Sequence, residues 1–373
     1  MSFDALPSVL AAAARLNPVA GFVAMASQGD GEAYLDAFGA RSAASPEPMA
    51  ADSIFWVASF TKLVTSVVAL QLIEAGRLSL DQPVAGVLAD FADLPILEGY
   101  DAAGAPLLRR AADRPTVRHL LTHTSGLGYQ FMDHDLARYA AAEGVGPDAA
   151  RRLPRRFEAG ARWQYGVSTD WLGAVVEAVA GQGLDEVFQN QVFGLLGMTD
   201  TTFALSEAQK PRVAAMHARL PDGDLSVIDF AMPPLNFSSG GGGLYATAAD
   251  FMRLLRALLD GAILGEASRG ALFANQVGDL PAGVLISSNP ALTNDFDPMP
   301  GQTMGWSFGL MLNPSRGPNG RAAGSGAWAG LPNCHYWLDP AKGLAALLLA
   351  QVLPFADPKA LGLLATFERA VYA

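Results

Sequence analysis

Ile54-Phe55-Trp56-Val57-Ala58-Ser59-Phe60-Thr61-Lys62-Leu63-Val64-Thr65-Ser66-Val67-Val68-Ala69-Leu70 is the stretch on which the rest of the chain can be organised. Its nearly unbroken apolar character reads as a buried helix, with Ser59 at its opening. Lys62 lies three residues after Ser59, and residues at that spacing share one helix face. The lysine nitrogen can therefore reach the serine hydroxyl without help from the rest of the fold. A serine hydroxyl becomes a competent nucleophile when a neighbouring base takes its proton. A capping serine followed by a snorkelling lysine gives the same short pattern. Of the lysines in the chain, Lys62, Lys210, Lys342 and Lys359, Lys62 is the one set inside a long apolar helix, where an unpaired charge is costly. That cost favours chemistry over chance.

The 373 residues suffice for one large domain or two smaller ones. With 51% hydrophobic and 16% charged residues, the composition is that of a folded enzyme and not of a disordered chain. The apolar run Gly343 to Ala350 is too short to span a bilayer and reads as a buried strand. A net charge of -11, with no basic cluster interleaved with aromatics, argues against nucleic acid or an anionic membrane as partner. Arg151, Arg152, Arg155 and Arg156 form a basic knot that reads as a solvated helix face. The N-terminal segment has no basic region of the secretory type, so a cytoplasmic location is expected. Lone Cys334 leaves no intramolecular disulfide and no cysteine-based metal site, and suits a core position.

Leu6, Val9, Leu10, Ala13 and Leu16 make a helical stripe, followed by two strand-like runs flanking Gly29-Asp30-Gly31: a helix, then a β-hairpin. The C-terminal region mirrors this, with His335 to Leu338 and Gly343 to Ala350 joined by a turn. A last helix then starts at Asp357-Pro358 and buries Leu361, Leu364, Phe367 and Val371. Both ends thus supply hairpins and helices to one antiparallel sheet. Residues 81–199 read as mainly helical, a lobe inserted into an α/β lobe made of 1–80 and 200–373, with Ser59 near the junction. Gly240 to Gly243 could suggest a phosphate loop, but no lysine follows, and Thr247 with Asp250 caps the next helix; the run reads as backbone crowding.

Two rival chemistries fail on their own terms. Gly305-Trp306-Ser307-Phe308-Gly309 has the nucleophile-elbow spacing, but no acid stands between Ser307 and His335, and a strand follows where a helix is required. His119 and His123 have a zinc-compatible spacing, but Leu120 replaces the glutamate that such a site needs. No metal is expected, and packing or capping explains both histidines better.

With Ser59 and Lys62 in hand, further landmarks fall in order: Gly76-Arg77-Leu78-Ser79-Leu80-Asp81, Leu120-Leu121-Thr122-His123-Thr124-Ser125-Gly126-Leu127, Trp163-Gln164-Tyr165 and Leu195-Leu196-Gly197-Met198-Thr199-Asp200. Together they resemble the serine β-lactamase and penicillin-binding-protein superfamily, in particular its class C-like branch and the family VIII carboxylesterases. The resemblance runs over nearly the whole chain. It implies an α/β (α+β) fold of β-lactamase type, an antiparallel sheet flanked by the N- and C-terminal helices, and an inserted helical lobe. It also implies a cofactor-free serine enzyme with Tyr165 as proton relay beside Lys62, and the N-H groups of Ser59 and Leu331 as oxyanion hole. Val167 departs from the family's amide-holding asparagine, and Trp328-Ala329-Gly330 replaces its Lys-Thr-Gly. Both departures point to uncharged esters, with Tyr129, Phe131, Phe60 and Trp328 as candidate pocket walls. The expectation is a carboxylesterase acting on small-molecule esters. A β-lactamase, D-aminopeptidase or acyltransferase of the same fold are the alternatives, and a penicillin-binding sensor is a weaker one.

Overall fold

The computed structural model describes residues 3–29, 33–230 and 239–373. The Asp30-Gly31 part of the expected hairpin turn lies outside these residues.

The N-terminal helix α1 (Leu6–Leu16) leads into the hairpin strands β1 (Gly21–Gln28) and β2 (Ala33–Ser42), then β3 (Ser45–Pro48) and β4 (Phe55–Ala58). Helix α2 (Thr61–Glu74) follows. A small hairpin, β5 (Ile96–Tyr100) and β6 (Pro106–Arg109), precedes the helices α3 (Val117–Leu121), α4 (His134–Glu143), α5 (Ser168–Ala180), α6 (Leu184–Phe188) and α7 (Gly194–Leu196). Strands β7 (His217–Arg219), β8 (Leu225–Val227) and β9 (Leu244–Ala246) lead to α8 (Ala248–Asp260) and α9 (Glu266–Leu272). The chain ends with β10 (Gly305–Trp306), β11 (Met311–Leu312), β12 (Gly326–Gly330), β13 (Cys334–Asp339), β14 (Leu344–Leu349), β15 (Val352–Leu353) and α10 (Pro358–Val371).

The main sheet is antiparallel with eight strands in the order β10-β11-β12-β13-β14-β1-β2-β3, so the two chain ends meet where β14 pairs with β1. Both faces are covered, which is why β14 reads as one apolar run. Phe22, Ala24, Ala346 and Leu348 face α1 and α10 with Leu6, Leu10, Leu363 and Phe367, while Val23, Leu347 and Leu349 face α2 and α8. Helix α10 starts as expected, Asp357 accepting from the N-H groups of Lys359 and Ala360.

Three expectations need correction. Leu16 is exposed, so the stripe of α1 stops short, and Leu361 of α10 is only half-buried. The segment 81–199 contains the β5–β6 hairpin, which Gly99 breaks with a bulge that hides its alternation. The basic knot is not a solvated helix face. Arg155 is 2% exposed and grips Asp113 with both terminal nitrogens, at 2.8 and 2.6 Å, while Arg156 pairs with Asp133 and Asp135. Among the described residues, no helix is long and apolar enough to cross a membrane.

Candidate active site

Strand β4 pairs with β9 and then stops abruptly: Ala58 takes φ 46°, a left-handed conformation that costs a non-glycine residue about 1 kcal/mol. This sharp exit presents Ser59 just ahead of the first turn of α2, which begins at Thr61, two residues later than the sequence suggests. Hydroxyls lock the corner: Thr61 Oγ1 donates to Ala58 O at 2.6 Å and accepts from Leu244 N at 3.1 Å, and Thr65 Oγ1 donates to Gly240 O at 2.6 Å. Helix α2 is buried on nearly every side, as its sequence requires, and Lys62 is 2% exposed within it.

Ser59 Oγ has two partners. Tyr165 OH lies 2.7 Å away and Lys62 Nζ 3.2 Å away. Lys62 Nζ also donates to Tyr129 OH at 2.9 Å and to Gly241 O at 2.5 Å, so three acceptors match the three N-H donors of an ammonium. The same nitrogen lies 4.8 Å from the Tyr165 ring centroid and 5.2 Å from that of Tyr129. Trp328 Nε1 donates to Tyr165 OH at 3.2 Å, its ring standing edge-on to the phenol. Gly241 is itself fixed by its N-H to Asp170 Oδ1 at 3.1 Å, a carboxylate that also accepts from Ser239 Oγ at 2.5 Å. Burial raises the Tyr129 phenol well above its ordinary range, and Asp170 and Tyr165 add to this. His123 is held neutral by burial, with Lys62 adding repulsion, and packs against Tyr165 and Trp306.

Strand β12 closes the other wall. A Cβ on Gly330 would lie 2.4 Å from Val57 O, so only glycine lets this strand come so near the Ser59 corner. Ser59 and Leu331 both line a cavity of about 930 Å³, walled by Trp56, Tyr129, Phe131, Val167 and Trp328.

The Beta-lactamase family model matches residues 11–369. This chain belongs to the Beta-lactamase family. Its relatives include the Monacolin J acid methylbutanoyltransferase of Aspergillus terreus, 34% identical over 97% of this chain and 93% of that protein. The Lovastatin esterase of Penicillium rubens is 30% identical over 91% of this chain and 90% of that protein. Among solved structures, a mutant of Simvastatin Synthase (LOVD) from Aspergillus terreus superposes with a TM-score of 0.87 at 32% identity, covering 98% of this chain and 96% of that one. EstCE1, a hydrolase with promiscuous acyltransferase activity, shares the fold at a TM-score of 0.78 and 20% identity, over 100% of this chain and 99% of that one. The chain is thus an enzyme of this serine-hydrolase-like fold, and its relatives are acyltransferases and an esterase.

In this Beta-lactamase family member the structure brings Ser59, Lys62 and Tyr165 together, and it places Val167, Tyr129, Phe131, Trp328, Ala329, Gly330 and Leu331 around the cavity. Phe60 does not belong there. Its side chain is fully buried between Phe251 and Tyr336, because at the start of α2 it points into the core beneath the sheet while Ser59 points out. The glycine run is crowded as expected: a Cβ on Gly240 would meet Thr169 O at 2.6 Å, and one on Gly243 the Phe203 ring at 2.7 Å. His119 caps α3 through Thr116, His123 is a packing residue, and Ser307 is buried with its hydroxyl bonded to Leu310 O.

Sequence reasoning missed the polar contacts of Tyr129 and Trp328, both read as plain walls, and the set Asp170, Ser239 and Gly241. The four glycines were the available signal for the last of these, since a backbone stripped of side chains there lets a carbonyl reach Lys62.

Proposed function

We propose that this chain is a carboxylesterase of the family VIII type, acting through an acyl-enzyme on Ser59 with short to medium acyl chains. The observation that carries the reading is the pair of contacts on Ser59 Oγ, from Tyr165 at 2.7 Å and Lys62 at 3.2 Å, beside an apolar-walled cavity. Lys62, with its donors committed to three acceptors, supplies positive charge, and the Tyr165 oxygen is the base. As Ser59 Oγ bonds to the ester carbon, its proton passes to the Tyr165 oxygen, which enters this step as a phenolate supported by the charge of Lys62 and the Trp328 N-H and leaves it as the neutral phenol. The N-H groups of Ser59 and Leu331 receive the carbonyl oxyanion. The bond to the alcohol oxygen then breaks, and Tyr165 returns the proton to the leaving alcohol. Water repeats the sequence in reverse roles to release the acid.

Val167 and Trp328 set the substrate class. A β-lactam loses an amide anchor and a carboxylate anchor, each worth about 1.5–3 kcal/mol, or about two to four decades of kcat/KM together. Purified protein is therefore expected to cleave p-nitrophenyl butanoate at least a hundredfold more efficiently than nitrocefin, and Ser59→Ala to remove the activity while leaving the fold intact. Comparable efficiencies on the two substrates would overturn the esterase reading in favour of the lactamase one, and activity surviving in Ser59→Ala would overturn the nucleophile.

A second reading is favoured by one finding, the 34% identity to a methylbutanoyltransferase over almost the whole chain. In it an alcohol replaces water in the second half-reaction. Adding a primary alcohol to the same assay separates the two: predominant free acid supports hydrolysis, and predominant new ester supports transfer.

A further inference from the structure

Two buried charges at the site touch no group of opposite sign among the described residues. Lys62 is 2% exposed, and its ammonium donates to three neutral acceptors, Ser59 Oγ, Tyr129 OH and Gly241 O. Asp170, in the first turn of α5, is 9% exposed and lines the cavity. Its carboxylate accepts from two neutral donors, Ser239 Oγ at 2.5 Å and the Gly241 N-H at 3.1 Å. A buried charge is costly on its own, so two of opposite sign at one site point to each other.

Gly241 connects them. Its carbonyl oxygen accepts from Lys62 Nζ at 2.5 Å, its N-H donates to Asp170 Oδ1, and a Cβ placed on it would run into Asp170 Oδ2. The absent side chain thus lets the carboxylate lie against the backbone that holds the lysine. Tyr129 makes a second connection. Its OH lies 2.9 Å from Lys62 Nζ, and burial first, then the Asp170 charge, keeps its phenol neutral. With water excluded, attraction across one intervening group is much stronger than at a surface. The other charged and titratable groups along the cavity are placed elsewhere: Asp297 is exposed, Glu368 is held by Arg321, and Arg151 sits over the Trp171 ring. His123, packed against Tyr165, is uncharged.

We propose that Asp170 is the counter-charge of Lys62 and a positioning residue for the reaction: across Gly241 and Tyr129 it holds the lysine as an ammonium, and it leaves Tyr165, the tyrosine beside Ser59, to carry the negative charge. The role in the reaction rests on the Ser59, Lys62 and Tyr165 reading, whereas the pairing of the two charges does not, and the two are tested separately. The pairing is read from thermal unfolding, at neutral pH and without substrate, of wild type, Lys62→Met, Asp170→Asn and the double variant. Each single change strands a buried charge and is expected to lower Tm by about 5 °C or more, or to prevent folding. The double variant strands none and unfolds above both singles. A double variant that unfolds no higher than the more stable single overturns the pairing. The role is read from the pH profile of kcat/KM on p-nitrophenyl butanoate. Asp170→Asn keeps an oxygen for Ser239 and Gly241 and removes the charge, which eases every deprotonation around Ser59, so the profile moves to lower pH by about one unit. Ser239→Ala, which removes a donor to Asp170 and keeps the charge, leaves the profile where it is in wild type. A profile that Asp170→Asn lowers without moving would make Asp170 a structural residue and overturn the role. Where Asp170→Asn does not fold, the double variant still decides the pairing. A wild-type protein that cleaves no ester overturns the Ser59 reading, and with it the role, while the unfolding series continues to decide whether the two charges are paired.

Discussion

By the family resemblance Trp328 is expected where lactamases carry a lysine, and its indole N-H ends 3.2 Å from the Tyr165 oxygen. A cation there would hold a substrate carboxylate. An indole gives the phenol one fixed donor and a hydrophobic wall, so in the proposed mechanism the same side chain tunes the base and selects the substrate. Trp328→Phe keeps most of the wall and removes the donor. A hydrogen bond to a charged group is worth about 1.5–3 kcal/mol, so kcat is expected to fall about tenfold to a hundredfold with KM little changed. A rise in KM at constant kcat would make Trp328 a wall and nothing more. Lys62→Ala and Tyr165→Phe, which remove the charge and the base, should each lower kcat by about a hundredfold or more, and near wild-type turnover in either would remove that residue from the mechanism. The Ser59–Lys62 pair was legible because a spacing of three is closed by a single turn of chain, here with Lys62 N-H donating to Ser59 O at 3.1 Å, and that is local geometry. The Tyr165–Trp328 bond was not, because it depends on how β12 comes to rest beside the 163–167 segment, and no periodicity in either stretch encodes that approach.

Elements whose pattern is local were legible for the same reason. The α2 helix, the β13–β14 hairpin and the proline-started α10 all announce themselves in spacing and caps, whereas the β5–β6 hairpin hides behind the bulge at Gly99, and the arginines after Pro147 reveal nothing of the acids they will meet. Those acids decide how the helical segment behaves in acid. Burial alone would raise the Asp113 carboxyl, but the two-pronged grip of Arg155 and the Ala159 N-H outweigh it and bring it to about 2, from an ordinary 3.8. A carboxylate lowered in the folded state contributes stability that is fully present above its ordinary value and is lost as the pH falls through the folded one. Wild-type Tm should therefore drop as pH falls from about 4 toward 2. Asp113→Asn strands a guanidinium that is 2% exposed, so it should cost about 3 kcal/mol at neutral pH and flatten this acid limb. An acid limb as steep in the variant as in wild type would show that other carboxylates govern it.

At the scale of the molecule, the two parts read from the sequence share their interior. One apolar cluster joins Leu63 and Val67 of α2 and Phe251 of α8 to Val117 and Leu121 of α3 and to Leu172 and Val175 of α5. What the inserted segment keeps to itself is a small group around Leu97, Leu136, Ala140 and Leu153, too few side chains to sustain a separate fold. The residues that meet around Ser59 straddle the same seam, with Ser59 and Lys62 from one part and Tyr129 and Tyr165 from the other. A ligand bonded to Ser59 and packed against both should therefore stabilise the whole chain at once. Phenylboronic acid, which forms a tetrahedral adduct with a nucleophilic serine, is expected to add about 2.7 kcal/mol at a hundred times its Kd. Thermal unfolding followed by far-UV circular dichroism and by tryptophan fluorescence should give one coincident transition, and both signals should move upward together with the boronate. Ser59→Ala should abolish that shift. Two separate transitions, with only one responding to the ligand, would mean that the inserted segment unfolds on its own and that the shared cluster does not couple the two parts.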